Sequence, residues 1–245
     1  MKTTVVLLSM VVMIMAVDFP SGFKVCKLSD PNFEKCYIEA AKIGLNILAK
    51  GDNTLGILPL EPIVIGNMTV QASGPVAVKH EYWNMKVYGL TKNLQITIKN
   101  FNKNTLANYK EVFYPYFYLL SNYKLDGKIL LLPIHGEGKC KLMLHNSTIT
   151  FKETFVTYEK DGETYIKFKK YDFRIKEAKL EMQFENLFGG DARLGETMNK
   201  FINENSKEIF DEVKPAYEKV FSDATSGIFN KIFSQIPLRK IFPPE

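Results

Sequence analysis

Histidine and cysteine are scarce in this chain, with three of each in 245 residues, and that scarcity excludes more chemistry than any motif suggests. None of the histidines lies in an H-E-x-x-H helix, since His80-Glu81 is followed by Tyr82-Trp83-Asn84, so the commonest zinc-hydrolase arrangement is missing. No G-x-S-x-G nucleophile elbow occurs, which removes the usual lipid-hydrolase signature. Gly136-Glu137-Gly138-Lys139 resembles the end of a phosphate loop, but Pro133 stands where the first glycine belongs and Cys140 where Ser or Thr is required. The reading is therefore of a non-enzyme with no catalytic residue, no metal site and no cofactor. Charge of one sign is also lacking: the net charge is +5, falling by one if Lys2 is removed. The densest basic run, Lys167, Lys169, Lys170, Arg174, Lys176 and Lys179, is interleaved with Glu163, Asp172, Glu177 and Glu181. That pattern suits a solvated strand face and argues against nucleic acid as a partner. No Pro/Gly/Ser-rich linker or fixed-period repeat divides the chain, and only one long apolar run is present.

That run is at the start. Lys2 precedes an almost unbroken apolar stretch from Val5 to Ala16, and polar sequence resumes at Asp18. A stretch this short falls below the ~20 residues that span a bilayer, and the layout is that of a cleavable signal peptide over residues 1–16. Residues 17–245 are then expected to form a single secreted, extracellular domain. In an exported chain, Cys26 and Cys36, with nine residues between them, favour a disulfide over a redox or metal pair. Asn67-Met68-Thr69 and Asn146-Ser147-Thr148 are glycosylation sequons at Asn67 and Asn146, consistent with that compartment.

Periodicity divides the remainder into three zones. Asp30 reads as an N-cap with Pro31 at the first helical position; Phe33, Cys36, Tyr37, Ala40, Gly44, Ile47 and Leu48 recur at helical spacing, and Gly51 stops the run. From about Pro62 to Phe188 the period becomes two. Val76, Val78, His80, Tyr82 and Asn84 alternate with polar or outward neighbours, as do Leu180, Met182 and Phe184. Turns are expected at Ser73-Gly74-Pro75, Asp126-Gly127, Gly136-Glu137-Gly138 and Lys160-Asp161-Gly162-Glu163, giving long antiparallel strands. From Ala192 to about Gln235 a helical pattern returns, with Asp191 as N-cap and Pro237 as stop. A straight helix of that length would reach about 66 Å. A compact chain of this size is only about 45 Å across, so an elongated body with a kink at Pro215 is expected.

The order of these features, taken with three further stretches, resembles the insect takeout and juvenile-hormone-binding protein family, on its takeout-like branch. The stretches are Tyr123-Lys124-Leu125-Asp126-Gly127 through Leu132-Pro133-Ile134-His135-Gly136-Glu137-Gly138; Asn186-Leu187-Phe188-Gly189-Gly190-Asp191; and Met198-Asn199-Lys200-Phe201-Ile202-Asn203-Glu204-Asn205. The resemblance implies an α+β tubular lipid-binding fold, in which a curved antiparallel β-sheet wraps a long C-terminal α-helix around a hydrophobic tunnel. It implies a carrier of a small elongated hydrophobic ligand, such as a juvenile hormone-like terpenoid, a fatty acid or another lipid, acting as a monomer. Cys26 and Cys36 match the family's N-terminal disulfide. Proteins nearest the haemolymph hormone carriers have a second disulfide, for which Cys140 has no partner left; this is what places the resemblance on the takeout-like branch. Trp83, Tyr118 and Tyr123 join an apolar body to a hydrogen-bonding tip and are candidates to orient a polar head. Phe155, Phe173, Phe184, Phe201, Phe210, Val213, Tyr217 and Phe221 are candidate wall residues, by strand parity or helical phase. Two other classes stay open at this level: a secreted membrane-surface or protein interaction module that makes transient membrane contact without a dedicated soluble ligand, and a structural protein whose interior is filled.

Overall fold

The computed structural model describes residues 18–72 and 74–244. The expected leader, residues 1–16, and Ser73 of the first expected turn lie outside them. Among the described residues, seven strands make one antiparallel sheet that curls into a half-barrel, with helices closing its concave side. Its spine is a pair of very long strands, β4 (Asn108–Ile129) and β5 (Leu132–Lys160), paired from Asn108 opposite Glu153 to Ile129 opposite Leu132. Two strands share the outer side of β4: β2 (Val76–Tyr88) along its second half and β3 (Gln95–Phe101) along its first. β6 (Glu163–Lys176) and β7 (Lys179–Phe184) divide the outer side of β5 in the same way, and β1 (Ile63–Gln71) pairs with β2.

The period-two alternation is real but interrupted. Val76, Val78, His80 and Tyr82 are buried, as expected, yet Asn84 is exposed and takes a positive φ of 57°. The register slips there, and Met85 and Val87 become the inward residues. A bulge of this kind adds a residue to one strand and reverses the facing of everything beyond it. Two of the four expected turns also lie inside strands. Gly74-Pro75 lie between β1 and β2 and the Lys160–Glu163 signal joins β5 to β6, but Asp126-Gly127 belongs to β4 and Gly136-Glu137-Gly138 to β5. The β4–β5 reversal is at Leu130-Leu131, where Leu130 has φ 57°. The glycines serve close approach instead. At Gly127, with φ 145°, a Cβ would lie 2.3 Å from the Ala77 carbonyl oxygen of β2; at Gly136 it would lie 2.8 Å from the Tyr123 hydroxyl.

Helix α1 (Phe33–Leu48) starts two residues later than expected, with Asn32 as cap; the Asp30 carboxylate accepts from the Asn32 N–H at 2.7 Å, holding the preceding turn. The Cys26–Cys36 disulfide is formed, with Cα atoms 5.9 Å apart, and fixes the first turn of α1 to the incoming segment. Closing a loop of this size stabilises by about 3 kcal/mol in the chain-entropy model. The Cys26→Ser/Cys36→Ser variant is therefore expected to lose about 2–5 kcal/mol, read as a fall in the denaturant midpoint; an unchanged midpoint would show that α1 is held by packing alone.

The C-terminal helical region is interrupted at Asn205, not at Pro215. Helix α2 (Ala192–Glu204) is capped by the Asp191 side chain, which accepts from the Leu194 N–H at 3.0 Å, and α3 (Ser206–Phe233) runs through Pro215. Pro215 is exposed, and its missing N–H leaves the Asp211 carbonyl without its helical donor while the helix continues. A short α4 (Leu238–Ile241) follows.

Helices α2 and α3 do more than fill the concavity. The Asn199 amide both donates to and accepts from Phe184 of β7, at 2.9 Å each way, and Asn203, one turn on, does the same for Met182 at 2.7 and 2.8 Å. The buried Glu218 carboxylate accepts the Ile175 N–H of β6 at 2.8 Å and an Arg174 N–H at 2.9 Å, and Asn230 accepts the Phe168 N–H at 2.9 Å. The unpaired outer edges of β6 and β7 are thus covered by side chains from the helices, which removes a template for aggregation.

Candidate functional site

The concave side has two unequal halves. In the half closed by α2 and the start of α3, aromatic side chains fill the space. Tyr82, Tyr123 and Phe210 are fully buried, with Phe184 against Tyr123 at 5.0 Å and Phe210 against Tyr217 at 5.6 Å. Their polar atoms are used within the protein: Tyr123 donates to the Glu185 carbonyl at 2.6 Å, and the Tyr82 hydroxyl bridges Tyr217 and His80. Burial lowers the His80 pKa to about 3 and pushes the Tyr82 and Tyr217 hydroxyls well above the usual tyrosine range. Cys140 is a free, buried thiol on β5, pushed up to about 12 by burial.

The other half encloses a chamber of about 290 Å³. Its walls come from the inner face of α1, the first half of β4, the second half of β5, β6 and the last turns of α3; the arm from Phe19 to Cys26 and the C-terminal residues Ile241 and Phe242 complete it. Most of the lining is aliphatic or aromatic, including Ala41, Leu45, Phe151, Phe168, Ile228 and Phe233. A wider cavity of about 710 Å³ adjoins it, sharing Leu106, Phe155, Ile166 and Phe242.

One corner of the chamber is polar. Lys110 of β4 donates to the Glu153 carboxylate of β5 at 2.6 Å, and Asn108 donates to the same carboxylate at 2.7 Å. The side chains of Lys110 and Glu153 are only 16% and 5% exposed, so this is a buried ion pair inside an apolar room. Burial pulls the Lys110 ammonium down, but the Tyr37 hydroxyl and Glu153 beside it outweigh that and leave its pKa above the ordinary value. Tyr37, Tyr114 and Tyr171 line the same corner.

Of the residues singled out from the sequence, Phe155 and Phe173 line this chamber, and Phe221 stacks on Phe173 at 6.0 Å from beneath. Tyr123, Phe184, Phe210 and Tyr217 belong to the filled half, as do the partly buried Phe201 and Val213, all packed in the same core. Trp83 and Tyr118 are half-exposed and face away from the concave side: Trp83 alternates with buried Tyr82, and Tyr118 stacks on Tyr88 at 4.9 Å beneath the Lys141 ammonium. The expected tunnel along the helix is therefore a chamber at one end of it, because the aromatic stripe of α2 and early α3 packs into the sheet rather than standing clear. Tyr37, Lys110, Glu153 and Tyr171 were missed. Tyr37 carried a signal, since it lies on the apolar face read for α1; a lysine and a glutamate on strands ordinarily read as outward. The sequon residues Asn67 and Asn146 are both exposed, at a slip in β1 and at a positive-φ residue in β5.

A half-barrel closed by helices around an apolar chamber with one polar corner defines a hydrophobic-ligand-binding protein. The chain belongs to the insect takeout and juvenile-hormone-binding family: residues 4–243 match the family model "Haemolymph juvenile hormone binding protein (JHBP)". It is similar to the circadian clock-controlled protein daywake of Drosophila melanogaster, 26% identical over 238 residues that cover 93% of this chain and 89% of that protein, and to daywake of Drosophila yakuba at 25% over 235 residues with the same coverage. Its fold matches the crystal structure of Epiphyas postvittana Takeout 1 with a TM-score of 0.79 at 21% identity, covering 90% of this chain and all of that one.

Proposed function

We propose that this protein is a secreted carrier that holds one small apolar molecule in the chamber between α1, the β4–β6 wall and the end of α3. Residues 1–16 act as the leader in this reading, and the remainder works as a single monomeric unit with no catalytic role. The observation that supports it most is the chamber itself: roughly 300–1,000 Å³ is usual for small-molecule sites, and about 290 Å³ with mostly apolar walls lies at the lower end. Each Å² of apolar ligand surface taken from water contributes about 25 cal/mol, so a few hundred Å² supports micromolar binding after ordering costs. A ligand longer than the chamber would extend past Leu106 and Phe155 into the adjoining cavity. No helix among the described residues is long and apolar enough to cross a membrane.

Native mass spectrometry of the protein collected from the medium of insect cells, followed by denaturation and organic extraction, tests this. A stoichiometric adduct released as an apolar compound is the expected result. A clean apo mass, together with no uptake of a fluorescent long-chain lipid, would overturn the carrier reading in favour of a structural or surface role.

A further inference from the structure

The basic run on β6 changes meaning once the sheet is folded. In the sequence its acids interleave with the lysines and promise local neutrality, but in the structure those acids are taken by other cations. Glu163 accepts from the Arg239 guanidinium of α4 at 2.7 and 3.0 Å, Asp172 holds Arg174 at 3.0 Å, Glu177 faces Lys214 of α3 at 3.7 Å and Glu181 holds Lys179 of its own strand. Glu153 is turned inward to Lys110, and Glu159 and Asp161 lie at the hairpin end. What is left is Lys152 and Lys160 on β5 with Lys167, Lys169 and Lys170 on β6. All five are exposed and, among the described residues, none is in an ion pair.

The register puts them on the convex face. Lys152 is opposite Asp172 and Lys167 opposite Val156, while the alternate residues Phe151, Phe155 and Phe168 line the chamber within. Two consecutive lysines on a strand ordinarily face opposite ways. The slip between Thr154 and Phe155 makes Lys169 an extra residue, so Lys169 and Lys170 both stand outward between the chamber-lining Phe168 and Tyr171. The other three lie over tyrosine rings: Lys152 over Tyr109 at 5.3 Å, Lys160 over Tyr165 at 5.7 Å and Lys167 over Tyr158 at 5.5 Å. Such contacts hold an ammonium against the sheet without neutralising it. From Lys160 to Lys152 the stripe runs about 27 Å at the rise of an antiparallel strand.

An uncompensated positive stripe raises the local concentration of polyanions, and its chemistry narrows the choice. The large exposed apolar side chains, among them Leu58, Leu131 and Leu194, lie elsewhere, so this face has nothing to anchor in a bilayer. Lysine ammoniums are hydrated point charges, suited to a hydrated chain of separated anionic groups rather than to a bidentate grip on one phosphate. Resting on the secretion part of the reading above, we infer that the convex face of β5 and β6 binds a linear sulfated polysaccharide outside the cell, tethering the carrier while the chamber on the other side of the same strands stays free.

The test measures the affinity of the purified protein for heparin at physiological ionic strength, about 0.15 M, and at about 1 M salt. Lys167→Gln/Lys169→Gln/Lys170→Gln removes three charges from the stripe. Lys86→Gln/Lys128→Gln/Lys139→Gln removes the same charge from exposed positions on the other half of the sheet. The parent is expected to bind at the lower salt and to lose binding at the higher. The stripe variant should bind at least about tenfold more weakly, the least expected for three lost ion contacts, and the control should change less than about threefold. Equal weakening in both variants would reduce the effect to net charge and overturn the inference, as would no binding by the parent. Binding to phosphatidylserine vesicles but not to heparin, lost in the stripe variant, would assign the face to a membrane instead and overturn it too. Uptake of a fluorescent lipid is expected to be equal in all three proteins; a parent that takes up none removes the carrier reading and leaves the stripe standing. A protein retained inside the cells removes the secretion reading and this partner with it.

Discussion

Ala41→Trp is expected to abolish uptake of apolar ligand, raising the dissociation constant at least about tenfold, with the protein still folded. Ala41 lies on the face of α1 that forms one wall of the chamber, between Tyr37 and Leu45, and is only partly buried, so a larger side chain has empty space to enter. An indole placed in about 290 Å³ leaves little room for a second molecule. The intrinsic helix cost of the change is about half a kcal/mol, and burial of the ring offsets it. Val213→Trp is the companion that makes the result interpretable. Val213 packs against the filled half of the core, where insertion of a large ring forces strain of about 1–3 kcal/mol, yet the chamber is elsewhere. The expected pattern is crossed: Ala41→Trp loses uptake and keeps its denaturant midpoint, whereas Val213→Trp loses stability and keeps uptake. A folded Ala41→Trp that still takes up lipid at full affinity would remove the ligand from this chamber.

That crossed pattern also marks where sequence reading and structure part company. The helix α1, the hairpin at residues 160–163 and the inward run of Leu180, Met182 and Phe184 were all legible, because each depends on local period and local turn chemistry. Long strands lose that legibility. Asn84 reverses the parity of β2, and the paired strands β4 and β5 both change facing near one level. Inward residues run to Tyr114 and resume at Phe117 in β4, and run to Leu144 and resume at Ser147 in β5. A parity count carried across such a point puts residues on the wrong face; Trp83 and Tyr118, chosen for their polar tips and not by parity, lie on the face away from the concave side. The wall residues expected on α2 and early α3 pack in or against the sheet core, and helical phase shows which side of a helix is buried but not how the space beyond is filled. The polar corner was the least legible feature of all. Only the 22-residue β4 and 29-residue β5 lying side by side bring Lys110 to Glu153, 43 residues later in the chain, and each residue alone reads as solvent-facing.

Breaking that pair is expected to produce one of the largest stability losses available to a single substitution in this protein. In Lys110→Met the Glu153 carboxylate keeps the Asn108 amide but loses its cation, and with its side chain 5% exposed it has little access to bulk water. Removing one partner of a buried ion pair costs about 3–5 kcal/mol, because an uncompensated charge is left behind. Lys110→Met is therefore expected to lower the denaturant midpoint sharply. Glu153→Leu should do the same by leaving the ammonium against the Phe151 ring, which it already faces at 5.3 Å, and the Tyr37 hydroxyl. The double variant Lys110→Met/Glu153→Leu is expected to regain most of the loss, since a buried pair replaced by apolar groups of similar size is often neutral or stabilising. A double-mutant cycle reads this as a coupling of several kcal/mol. Singles within about 0.5 kcal/mol of the parent would mean that water reaches the pair and solvates both charges, which would contradict a dry site.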